Sequence, residues 1–125
     1  MSKQREIKWL EKVEVHDYEA AEDYLSLVCH PAEVKIAVES LKKSKIIYKK
    51  AKDIFRASRL PQLSEENFYV KKNLKKIDDE KELSPILLVV DRINRNLIIA
   101  DGYHRACTCE IVSENTLVPC QIAYL

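Results

Sequence analysis

The chain has 125 residues, 46% of them hydrophobic and 33% charged, which is typical of one globular domain with a buried core. A formal net charge of +1 excludes a global attraction for nucleic acid, and the sequence has no apolar run near the ~20 residues of a membrane span. The first residues lack the apolar core of a secretion signal, so we expect a cytoplasmic protein whose four cysteines stay reduced.

Residues 1–60 predict a helical N-terminal layer. Asp17 is placed to cap a first helix of apolar residues at helical spacing, and Pro31 suits the first turn of a second helix. Residues 46–48 predict a short strand, and residues 51–58 return to helical spacing. We expect this half to pack as helices against a sheet formed mainly by the second half.

A helix in the 70s opens the second half, residues 67–125. Val70, Leu74 and Ile77 form the apolar stripe of an amphipathic helix. The other face either contacts a polyanion or is merely solvated, and the acidic residues that follow favour the solvated face. That face carries four lysines, Lys71, Lys72, Lys75 and Lys76.

The strands of the second half follow this helix. Residues 86–90 are a continuous aliphatic run, which favours a strand covered on both faces, and residues 97–100 predict the returning strand. A helix from Tyr103 and a half-buried strand over residues 118–124 complete the pattern. The predicted fold is therefore α/β in the α+β sense: a small mixed sheet with helices, in a single domain over residues 1–125.

The segment Asp101-Gly102-Tyr103-His104-Arg105 lies between the returning strand and the following helix, and Gly102 is the only glycine of the chain. Glycine permits a positive φ and a close approach of backbone or ligand. A helix start offers free N–H groups and partial positive charge, which favours anions. His104 and Arg105 would add donors, so the segment predicts a phosphate site.

Each residue of this segment also has a structural interpretation. Asp101 could cap the helix, Tyr103 could pack half-buried instead of stacking on a base, and His104 could bond a neighbouring loop. Cys107 and Cys109 point to roughly opposite sides of a helix, so we expect no protein-held metal site.

The order of helix, Ser-Pro and aliphatic strand, returning strand, Asp-Gly-Tyr-His-Arg, helix and Val-Pro-Cys strand resembles the ParB/sulfiredoxin superfamily, over residues 67–125. The family includes nucleotide-dependent DNA clamps, sulfiredoxins and free-serine kinases. The resemblance implies a nucleotide such as ATP or CTP with Mg²⁺, with phosphates near Gly102, His104 and Arg105. Tyr103 stands where sulfiredoxins carry their nucleophile, so sulfiredoxin chemistry is not expected.

The leading functional hypothesis is a nucleotide-binding protein that acts as a phosphotransferase or phosphohydrolase. Asp101 would assist Mg²⁺ or act as a base, and Gly102, Tyr103, His104 and Arg105 would hold the nucleotide. The alternative is a non-catalytic interaction or regulatory module, associated with DNA, that shares the fold. The chain shows no DNA-reading helix pair, so we expect no sequence-specific duplex binding by the isolated protein.

Overall fold

The computed structural model describes residues 5–125, and within this range the chain has an α+β fold, as predicted. The helices and strands alternate irregularly along the chain. The helices are α1 (Val15–Leu25), α2 (Pro31–Lys43), α3 (Ala51–Ser58), α4 (Phe68–Asp78) and α5 (Tyr103–Val112). The strands are β1 (Lys8–Trp9), β2 (Ile47–Lys50), β3 (Glu82–Leu83), β4 (Ile86–Asp91), β5 (Asn96–Asp101) and β6 (Leu117–Tyr124).

The main sheet is mixed and has the strand order β2-β6-β4-β5. β4 pairs antiparallel with β5 and parallel with β6, while β2 pairs antiparallel with β6. The aliphatic run at the start of β4 is fully buried, because helices cover the sheet on both faces. A separate parallel pair joins β1 to β3.

The two helical layers differ in their origin along the chain. α1 and α2 pack against β5 and β6 through a cluster around Leu25, Leu41 and Val89. α3, α4 and α5 cover the opposite face through a cluster around Ile54, Val70 and Ile86. Part of the predicted N-terminal layer, α3, therefore packs with α5 on the other side of the sheet. Each helix within residues 5–125 is too short or too polar to cross a bilayer.

Of the two predicted helix starts, that of α2 is confirmed by Pro31 in its first turn, and that of α1 is not. His30 caps α2 with a capping box, Pro31 occupies its first turn, and Asn67 caps α4. The prediction that Asp17 caps α1 is wrong, because Glu14 occupies the N-cap and Asp17 lies buried inside the first turn. Its carboxylate is engaged with an arginine on α5, as described below.

The four cysteines are free thiols, and only Cys29 is partly exposed. Burial raises the pKa of Cys109 to about 12 and that of Cys120 to about 11. Burial also raises the pKa of Cys29 and of Cys107. The thiolate, which is the reactive form, is therefore scarce at every position.

We expect a thiol reagent at mildly alkaline pH to modify native protein at Cys29 and to spare the three buried cysteines, because Cys29 alone is accessible. Mass spectrometry after timed labelling measures this order. Reductant is expected to leave the melting temperature unchanged. A melting temperature that falls by several degrees in reductant would instead reveal a disulfide.

Candidate functional site

A cleft opens between α4 and the start of α5, and we call it the α4–α5 cleft. All five residues of the predicted segment, 101–105, line it. The opposite wall is formed by residues of α4: Tyr69, Lys72, Asn73 and Lys76. The fold thus brings the predicted phosphate-site residues together and adds an α4 wall that the sequence interpretation did not assign to them.

Gly102 forms the turn from β5 into α5 and has a φ of +105°. A Cβ atom at this position would lie 2.4 Å from Cγ2 of Ile86, which is the first residue of β4. Both the left-handed backbone and the close approach of β4 require glycine here. The single glycine of the chain is explained by these two restrictions.

The start of α5 presents backbone N–H groups toward the cleft. The first α-helical bond of α5 runs from the Ala106 N–H to the Gly102 carbonyl, at 2.9 Å. The N–H groups of Tyr103, His104 and Arg105 precede that bond and have no partner inside the helix. Gly102 occupies the N-cap of α5, and no side chain among residues 5–125 makes a capping bond there, so the interpretation of Asp101 as a helix cap is wrong.

The lysines of α4 divide into two pairs. Lys71 and Lys75 form exposed ion pairs with Glu66 at 3.4 Å and Asp79 at 3.2 Å. Lys72 and Lys76 line the cleft, and neither makes an ion pair with any residue of the described range 5–125. The sequence interpretation treated the four lysines as one face. In the structure, the i, i+4 spacing groups them into two pairs with different surroundings.

Aromatic side chains border the same cleft. The His104 ring lies 4.8 Å from the Tyr69 ring and 5.5 Å from the Tyr103 ring, centroid to centroid. Tyr103 donates its hydroxyl hydrogen bond to the Pro61 carbonyl and packs edge-on against Phe55. Tyr69 remains 55% exposed. Tyr103 is therefore tied to the protein, whereas Tyr69 is half exposed, with its ring beside those of Phe68 and His104.

Arg105 joins two carboxylates at the inner end of the cleft. Its Nη2 lies 3.0 Å from Oδ2 of Asp101 and 3.4 Å from Oδ2 of Asp17. The exposed side-chain fractions are 19% for Arg105, 19% for Asp101 and 6% for Asp17. Asp17, like the α4 wall, was not assigned to this site from the sequence, because it lies far from residues 101–105 along the chain.

Arg105 is one cation beside two carboxylates, so the charges of these three side chains do not cancel. Burial raises the pKa of Asp101, the charge of Arg105 lowers it, and the charge of Asp17 raises it; the net effect is a raised pKa. Arg105 Nε is buried and makes no hydrogen bond with the described residues. Arg105 therefore chiefly orders two carboxylates, and Lys72, Lys76 and the α5 N–H groups are the donors that face solvent.

The cleft does not fit a protein-held Mg²⁺. No group of three or more His, Cys, Asp or Glu residues suited to a metal occurs within residues 5–125. The two carboxylates that are present are both engaged by Arg105. Mg²⁺ that arrives with nucleotide phosphates needs only one or two protein carboxylates, so the assistance of Asp101 to such an ion stays a prediction.

Comparisons of the chain with protein-family models, with curated proteins and with solved structures found no match in any of the three.

Proposed function

We propose that the α4–α5 cleft binds the phosphate groups of a nucleotide. The carrying observation is that the N-terminus of α5 and the Lys72 and Lys76 side chains, which come from separate parts of the chain, line one cleft. Backbone N–H groups at a helix start and ammonium groups are the donors that phosphate oxygens accept from. The exposed part of the Tyr69 ring offers a contact surface for the base, and the resemblance of residues 67–125 to the ParB/sulfiredoxin superfamily supports the same assignment.

Asp101 gives the proposal a chemical step. A carboxylate whose pKa is raised is a stronger base than an ordinary aspartate, and Arg105 fixes its orientation. In phosphoryl transfer, Asp101 would accept the proton of an attacking hydroxyl or water. The attacking oxygen would form a bond to the terminal phosphorus as the bond between that phosphorus and the bridging oxygen breaks, which releases the nucleoside diphosphate.

The first test is a calorimetric titration of the protein with ATP and CTP. Lys72→Ala combined with Lys76→Ala is expected to weaken binding about tenfold or more, because each lysine supplies a charge-assisted hydrogen bond. The matched control is Lys71→Ala combined with Lys75→Ala, which removes the same charge from the opposite lysine pair of α4. Equal losses in the two double variants, or no binding by the parent, would contradict the proposal.

The alternative function is a non-catalytic interaction or regulatory module. It is favoured by the engagement of Arg105 with two carboxylates, which keeps this guanidinium from a ligand. Both functions permit binding, so a measured rate of phosphate release from bound nucleotide separates them. Binding without consumption would support the regulatory module.

A further inference from the structure

A second cleft lies at the opposite end of β5 from Asp101. Four arginines surround it: Arg56 and Arg59 at the end of α3, and Arg92 and Arg95 in the turn between β4 and β5. We call it the arginine cleft. Its floor is aliphatic and consists of Ala57, Val90 and Leu97.

The positive charge of the arginine cleft is poorly neutralised. Its lining holds four guanidinium groups and one carboxylate, that of Asp91. Asp91 accepts hydrogen bonds from the Ile93 and Asn94 N–H groups and the Asn94 side chain, at 2.8–3.2 Å, so it serves the turn. Of the four arginines, only Arg56 has an acidic partner within residues 5–125, a 4.0 Å contact to Asp53 at the surface.

The arginine cleft is preformed by backbone restrictions. Arg59 ends α3 with a φ of 60°, and Arg95 has a φ of 50° in the turn. The Arg59 Nη2 donates to the Arg95 carbonyl at 3.2 Å, which ties the end of α3 to the turn. A ligand therefore meets a rim that is already assembled, so little ordering is required on binding.

We propose that the arginine cleft docks an acidic peptide segment of a partner protein that carries an aliphatic anchor residue. The arginine rim is complementary to carboxylates, and the aliphatic floor is complementary to a leucine-like side chain. Ile93, 90% exposed at the tip of the turn, extends the apolar contact beyond the cleft. A single-stranded nucleic acid fits less well, because no aromatic side chain of the described residues lines the cleft itself, and the nearby Tyr124 ring is already engaged by Arg92, 5.2 Å from its centroid.

The test is fluorescence polarisation with a labelled synthetic peptide in which glutamates alternate with leucines. Arg56→Glu combined with Arg92→Glu is expected to weaken binding about tenfold or more, and these positions avoid the left-handed residues that support the turn. The matched control is Lys35→Glu combined with Lys43→Glu on α2, across the sheet, where the change in charge is the same. Circular dichroism and melting curves confirm that each variant is folded.

Two further measurements use only the parent protein, so they test the proposal even if a double variant does not fold. A glutamate–serine peptide should bind the parent more weakly than the glutamate–leucine peptide, and added salt should weaken both. The proposal is overturned if the parent does not bind the leucine peptide, if serine and leucine peptides bind equally, or if both double variants lose binding equally. Preferential binding of a single-stranded oligonucleotide would also overturn it and would assign the cleft to nucleic acid.

Discussion

Arg105→Ala is expected to lower the free energy of unfolding by about 2–4 kcal/mol at neutral pH, since it removes the shared cation of two largely buried carboxylates. The lower bound allows for the partial exposure of Arg105 and Asp101 to water. If Arg105 only bound a ligand, Arg105→Ala would leave the free energy of unfolding unchanged. Denaturant unfolding monitored by circular dichroism measures the loss.

The size of this loss should depend on pH. The pKa of Asp101 is raised in the folded protein, so the carboxyl group stabilises the fold when protonated and that contribution is lost as the pH rises. In the parent, the charge of Arg105 lowers the pKa of Asp101. Arg105→Ala removes that charge, so the pKa of Asp101 in the folded protein rises further and stability is lost over a wider pH range. Arg105→Ala should therefore approach the stability of the parent in acid and fall furthest below it near neutrality.

Two variants serve as controls for Arg105→Ala. Adding Asp17→Asn to Arg105→Ala should recover part of the lost stability, because it removes the charge of one of the two carboxylates that lose Arg105. Arg92→Ala removes an exposed arginine from the turn and should change stability little. An Arg105→Ala protein as stable as the parent at neutral pH would show that the carboxylates do not depend on Arg105.

Gly102→Val is expected to destabilise the protein by about 3 kcal/mol or more, the sum of left-handed backbone strain and overpacking. The valine Cβ would overlap Ile86, which lies on a strand held by neighbours on both sides and cannot move away. The melting temperature and the denaturant midpoint should both fall. A soluble, folded Gly102→Val protein with the parent's midpoint would contradict this account.

Glu80→Val separates the two causes. Glu80 is exposed and already has a φ of 60°, so valine there meets the backbone restriction without a buried neighbour. Measured against Glu80→Gly, so that both comparisons start from glycine, its loss should be clearly smaller than that of Gly102→Val, and the difference between the two losses measures the clash with Ile86. Equal losses would show that backbone strain alone explains the requirement for glycine.

The elements with strong local signals could be predicted from the sequence. The aliphatic run of β4 and the apolar stripe of α4 could be recognised because buried positions require apolar residues, at a spacing that depends on the element. The lone glycine, Gly102, also marked its turn correctly, because few other residues tolerate a positive φ beside a packed strand.

Contacts between distant parts of the chain could not be predicted in the same way. Asp17 carries the signature of a helix cap, and only the packing of α1 beside β5 shows that it meets Arg105. Lys72 and Lys76 differ from Lys71 and Lys75 only in which side of α4 faces α5. The division of roles at the site therefore depends on tertiary structure, which local patterns do not encode.

The strand order β2-β6-β4-β5 has a consequence for folding during synthesis. β6 lies between β2 and β4, yet it is the last of these strands to leave the ribosome. β2 has no partner in the sheet until β6 arrives, so a nascent chain that lacks β6 holds an unpaired β2 and one uncovered edge of β4. The sheet can therefore close only after residues 117–124 have emerged, and termination before residue 117 would leave aggregation-prone edges rather than a smaller folded protein.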